Sequence, residues 1–144
     1  MGEGERVATL RRKLERYLEE LFGDVAVDVD DDFVIGSGSA AVWITPGELF
    51  GGRTGVRIWS ITNVDVQVDD ELTRFLAAEN RNLLFGVLHL AKEQDSVAIG
   101  HTLLGDFLNR EELKTAITAV VEAADAYDDR IKARFGGRLF TEPR

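Results

Sequence analysis

The sequence predicts one α+β domain over residues 1–144: an antiparallel sheet of about five strands with three helices, in the order α-βββ-α-ββ-α. Three observations predict it. Residues 69–137 read without a gap as helix, β-hairpin, polar turn, long helix and glycine stop. Residues 5–22 carry apolar side chains at helical spacing. Between these segments, short apolar runs are joined by Gly- and Asp-rich turns and not by helices, which disfavours the alternating strands and helices of a doubly wound nucleotide fold.

The first helix places Val7, Leu10, Leu14, Leu18 and Leu21 on one face, with Arg11, Arg12, Lys13, Glu15, Arg16, Glu19 and Glu20 around the rest. Its mixed-charge polar face favours docking on its own sheet over a membrane surface, where a basic polar face is usual. Val25, Val27 and Val29 alternate with polar or small residues as an extended lead-in, and Asp30, Asp31 and Asp32 turn the chain. Residues 33–35 and 40–45 read as two strands joined by residues 36–39, with Pro46 and Gly47 ending the second. A loop over 48–54 leads to a long strand over 55–68, bulged near Thr62 and Asn63.

Asp69 or Asp70 opens the second helix by accepting a backbone N–H of the first turn, and Leu72, Phe75, Leu76 and Leu83 share one face. Residues 82–91 and 96–104 form a hairpin around the polar turn 92–95. Asn109 and Glu112 have the spacing of a capping box, and Leu113, Ala116, Ile117, Val120, Ala124, Tyr127 and Ile131 form the stripe of the last helix. Gly136 and Gly137 stop it. Residues 1–4 and 138–144 are expected to be flexible ends.

The phrases Ala78-Glu-Asn-Arg-Asn-Leu-Leu-Phe-Gly86, His101-Thr-Leu-Leu-Gly-Asp106, Ala123-Ala-Asp-Ala-Tyr-Asp-Asp129 and Ala133-Arg-Phe-Gly-Gly137 resemble the C-terminal half of YbjN-domain proteins. These are related in fold to the type III secretion chaperones, and the chain most resembles YbjN-like peptide-binding chaperones of high-GC Gram-positive bacteria. The resemblance covers about half of the chain by motif and most of it by order of elements. It implies a secretion-chaperone-like fold and a non-catalytic domain that binds a protein or peptide client, with a homodimer as one expected state. A regulatory or sensory interaction module, a role proposed for some YbjN-like proteins, is the alternative, followed by an unrecognised carboxylate- or metal-dependent enzyme.

Bulk properties narrow the partners. A net charge of −9 opposes phosphate backbones, so nucleic acid is not expected, although an acidic surface can steer basic clients. No apolar run approaches the roughly eighteen residues that cross a bilayer, and the N-terminus lacks a signal-peptide core, so a cytoplasmic protein without membrane insertion is expected. The absence of cysteine excludes disulfides, thiolate metal sites and thiol catalysis. Arginine outnumbers lysine, as in proteins of GC-rich genomes.

No catalytic constellation emerges. Asp28, Asp30 and Asp32 match the first positions of a calcium loop, but Phe33 stands where its glycine belongs and Ser39 where its bidentate glutamate belongs. The glycines from Gly36 onward imitate a dinucleotide fingerprint, yet Val42-Trp-Ile-Thr-Pro46 follows where a helix must start. His89 and His101 lie several residues apart on paired strands, and one register puts them on opposite faces, so neither a metal nor a cofactor is expected. Glu111 and Glu112 suit a helix N-terminus, while Asp128 and Asp129 read as a solvated face beside Arg130, Lys132 and Arg134. The candidate peptide-binding residues are Phe50, in a loop, and Trp43 and Trp59, in strands, where a core position is the commoner reading.

Overall fold

A computed structural model describes residues 3–37, 40–91 and 95–142. Helix α1 (Glu3–Phe22) precedes β1 (Ala26–Val27), β2 (Phe33–Ser37), β3 (Ala40–Glu48), a 3-10 turn (Phe50–Gly52) and β4 (Thr54–Val64). Then come α2 (Asp70–Asn80), β5 (Val87–Ala91), β6 (Ser96–Leu104), α3 (Arg110–Phe135) and β7 (Arg138–Leu139). The strands form one antiparallel sheet in the order β1-β2-β3-β4-β6-β5, with β7 also paired to β4. The class and helix count agree with the sequence, and the two-residue strands β1 and β7 raise the strand number above the expected five.

Local signals set the helix ends. The Asp69 carboxylate accepts the Leu72 N–H at 2.9 Å, and the Asn109 side chain accepts the Glu112 N–H at 2.8 Å. Glu112 answers by accepting from the Asn109 side-chain amide at 2.9 Å, a variation on the reciprocal box, which uses the cap's backbone N–H. Gly136, at φ 75, ends α3 and donates its N–H to the Lys132 carbonyl at 3.0 Å.

Several boundaries differ from the sequence expectation. Strand β3 runs through Pro46 to Glu48. Its pairing with β2 stops at Ile44, so Pro46 lies where β3 has a neighbour only on the β4 side and its missing N–H costs no ladder bond. The bulge in β4 falls between Ile61 and Asn63, and the strand stops at Val64 because Asp65 turns into the left-handed region at φ 57. Gly86, at φ 97, delays β5 to Val87, and α2 ends before Leu83. Of the ends expected to be flexible, Glu3 and Gly4 open α1, and Arg138 and Leu139 form β7. Residues 1–2 and 143–144 lie outside the described residues, as do parts of the two expected turns, residues 38–39 and 92–94.

All three helices share one core. Leu10, Leu14 and Leu18 of α1, Leu72 and Leu76 of α2, and the apolar stripe of α3 join Ile35, Val42, Ile44, Val56, Ile58, Val97 and Ile99 in one buried cluster. Strand register puts those sheet residues on one face. Burying each such Leu, Ile or Val contributes about 1.5–3 kcal/mol, which holds the helices to that side. One expectation fails here. Asp128 is buried at 8% exposure rather than solvated, on the part of α3 that faces β4, where the Asn63 amide donates to the Asp128 backbone carbonyl at 2.8 Å.

Candidate peptide-binding surface

With every helix on one side, the other face of the sheet presents the alternate residues of each strand. Trp43 lies opposite Val34 in β2 and Trp59 in β4; Trp59 lies opposite Gly100 in β6, and Gly100 opposite Val87 in β5. One residue step away on that face, Ile61 and His89 flank Ala98. The tryptophans are half-buried and stacked, with ring centroids 4.8 Å apart and planes inclined by 19°. The Trp59 indole N–H donates to Thr45 Oγ1 at 3.2 Å, which fixes its ring orientation. Phe140, just after β7, meets Trp43 edge-on at 5.5 Å.

Small residues make this face concave. Ala98, between Trp59 and Ile61 on one side and His89 and Ala91 on the other, lies in a groove of about 410 Å³. Its neighbour Gly100 leaves room that a side chain would take: an added Cβ would stand 3.5 Å from Trp59 Cβ and 3.6 Å from His89 Cε1. A second concavity of about 560 Å³ shares Arg57 and His89 with the first. Arg57 lies with its guanidinium 5.8 Å from the Trp59 ring centroid and 3.2 Å from His89 Nε2. Because a guanidinium only donates, His89 accepts at Nε2, and its Nδ1–H points to the Val87 carbonyl at 3.4 Å.

The three candidate residues do not meet. Trp43 and Trp59 pair on the open face, neither in the core nor fully exposed. Phe50 sits beyond the Glu48–Thr54 end of the β3–β4 ladder, 89% exposed. Sequence reasoning missed Arg57, His89 and Gly100, which reach this face only through strand pairing. The available signal was strand alternation, since Arg57 and Trp59 are two residues apart, as are Ala98 and Gly100.

Other sequence candidates are accounted for by structure. His101 lies on the sheet face opposite His89, stacks on Phe85 at 3.6 Å and accepts the Gly86 N–H through Nδ1 at 3.2 Å. Burial lowers its pKa, so the neutral ring is favoured. Asp28 Oδ1 accepts the N–H groups of Asp30 and Asp32, each at 3.0 Å, which makes the acidic run an Asx-type turn. Among the described residues no group of three or more His, Asp or Glu side chains is arranged to hold a metal ion. No described helix is long and apolar enough to cross a membrane.

Helices cover one side of the sheet, and the other bears the stacked Trp43–Trp59 pair, with Trp59 also lining the groove. The chain belongs to the family described as T3SS (YopN, CesT) and YbjN peptide-binding chaperone 1, whose model matches residues 8–143. The ExsC–ExsE complex contains a similar chain at 14% identity and TM-score 0.67, covering 87% of this chain and 95% of that one. The HopA1–SchA chaperone–effector complex contains another, at 10% identity and TM-score 0.63, covering 83% and 94%. The complex of the Yersinia pestis type III secretion chaperone SycH with a stable fragment of YscM2 contains a third similar chain, at 14% identity and TM-score 0.58, covering 81% and 98%. At these identities the likeness establishes the secretion-chaperone fold. Comparison with the curated proteins finds no match.

Proposed function

We propose that this chain is a non-catalytic, chaperone-like adaptor that holds an extended segment of a protein client on the open face of its sheet. The observation that carries the reading is the stacked Trp43–Trp59 pair, left half-exposed on a face that no described helix covers. Two indoles side by side give an apolar client residue a wide, rigid surface at low entropic cost, and aromatics supply much of the energy at protein interfaces. Beside the pair, Ala98 and Gly100 are buried under Trp59, Arg57 and His89, so a client would meet those larger side chains first. Family membership and the solved chaperone complexes of the same fold support the client class.

Strand β5 ends the sheet, with Val87 and Leu90 partly exposed along it and Leu84 fully exposed ahead of it. At Leu88 the outward N–H and C=O are already bonded to the Asn80 side chain, at 2.7 and 2.9 Å, so the part of this edge left for another strand is its Leu90 end. We assign this edge to a second copy of the chain, giving a homodimer. Light scattering on the purified protein tests that assignment, and a monomer at high concentration rejects it.

Affinity capture from the native cytoplasm tests the main reading. Recovery of unfolded or exported clients that Trp59→Ala fails to hold supports a chaperone. One stoichiometric folded partner points instead to a regulatory module. Clients held equally well by Trp43→Ala and Trp59→Ala place the binding surface elsewhere.

A further inference from the structure

At one end of the sheet, the β3–β4 turn, the connection from β6 to α3 and the first turns of α1 enclose a concavity of about 430 Å³. Its lining is unusual for an acidic chain. Three cationic side chains, Arg6, Lys13 and Arg53, border it together with one carboxylate, Asp106. Arg53 lies 3.4 Å from Asp106, whose other oxygen accepts the Thr54 hydroxyl at 2.7 Å and the Thr54 N–H at 3.3 Å. Asp106 is the one carboxylate lining this concavity among the described residues, and Glu48 lines a smaller cleft beside it that shares Arg6. The Arg6 guanidinium donates to the Gly52 carbonyl, and Lys13 Nζ donates to the Gly105 carbonyl at 3.4 Å.

Three glycines supply backbone around this space. Gly51 and Gly52 both have positive φ, at 65 and 72, which admits few residues other than glycine. At Gly105 an added Cβ would come within 2.6 Å of both Leu10 Cδ2 and Thr54 Oγ1. Directly adjoining the lining residues in sequence are two aromatics left in water, Phe50 at 89% and Phe107 at 75% exposure. Arg53 lies over the Phe107 ring at 5.8 Å and so joins the charged pocket to its apolar rim.

Resting on the reading that the chain binds protein segments, we propose that this pocket takes a side-chain carboxylate of the client, an Asp or Glu flanked by apolar residues that cover Phe50 and Phe107. A carboxylate gives Arg6 and Lys13 an ionised acceptor, able to bind the Arg6 guanidinium through two oxygens, in place of the neutral carbonyls they now meet. The net charge of −9 disfavours a polyphosphate partner, and the exposed rim asks for apolar atoms beside the charge. Selectivity would therefore oppose the overall field: an acidic protein choosing an acidic residue at one point.

The test is an NMR titration of the full chain with N-acetyl-Leu-Glu-Phe-amide, its Gln counterpart and inorganic phosphate. The expected result is saturable shifts of the Gly51, Gly52 and Gly105 amides, with the Glu peptide bound about tenfold more tightly than the Gln peptide. Arg6→Gln with Lys13→Gln should remove the preference. Thr9→Glu, which brings a tethered carboxylate to the same pocket while keeping both cations, should also remove it and raise the melting temperature. Equal affinities in the wild type, a preference that survives in the double variant, or phosphate bound more tightly than the Glu peptide would each overturn the proposal. Tryptophan fluorescence in the same titrations, and with captured clients, reads the open face separately. A fluorescence response without Glu preference rejects this pocket alone; Glu-dependent glycine shifts with Trp43 and Trp59 silent toward every client reject the open-face reading alone.

Discussion

Trp43 and Trp59 face each other across β3 and β4 with their rings stacked 4.8 Å apart, on the side of the sheet away from the helices. Because both are half-buried, their loss should affect binding more than folding. Trp59→Ala is expected to weaken client binding about tenfold or more while costing about 1–2 kcal/mol of stability. Calorimetric titration beside a urea melt separates the two effects, and Trp59→Phe should recover much of the binding.

Phe50 makes a cleaner probe. Its side chain stands almost wholly in water, so Phe50→Ala should shift stability by no more than about 0.5 kcal/mol. Client capture should nevertheless fall. Unchanged capture, or a variant that melts early, would remove Phe50 from the contact surface.

The α2 cap tests the scaffold apart from the site. Asp69→Ala removes the acceptor of the Leu72 N–H and should cost about 1 kcal/mol in urea denaturation. Asp69→Asn keeps an oxygen there and should lose much less.

Asp128 predicts a pH dependence. Burial pushes its carboxyl pKa up; the Asp129 N–H works against that rise, and the charges of Asp129, Asp125 and Glu142 add to it. A carboxyl whose folded pKa is raised costs stability once ionised, and that cost disappears as pH falls through the folded value. Asp128→Asn should therefore raise the melting temperature at neutral pH, and the gain should shrink steadily on acidification. A gain that stays constant or grows toward acid would contradict this account.

Features set by short stretches of chain were legible in advance. The caps at Asp69 and Asn109 and the stop at Gly136 are local, and the structure has all three. So is β6, found at Ser96–Leu104 as read. What escaped depends on distant partners. Pro46 fits inside β3 where β2 stops short of it, and Asp128 is buried where its backbone carbonyl meets Asn63 of β4. The basic pocket was hidden for the same reason. Arg6 and Lys13 are seven residues apart, two helical turns on one face of α1, but nothing local connects them to Arg53 and Gly105. The open-face site was half legible, since the tryptophans could be named but the concavity beside them comes from Ala98 and Gly100 on another strand.

The short strand after α3 has a practical use. Arg138 and Leu139 pair with Val64 and Asn63, and the Phe140 N–H donates to the Thr62 carbonyl at 3.0 Å, so the Phe140 ring is carried to the edge of Trp43. Aromatic protons held edge-on to an indole are strongly shifted by its ring current. The Phe140 resonances thus form a native spectroscopic gauge of the tryptophan platform, able to register a guest on the sheet without any label attached to the protein.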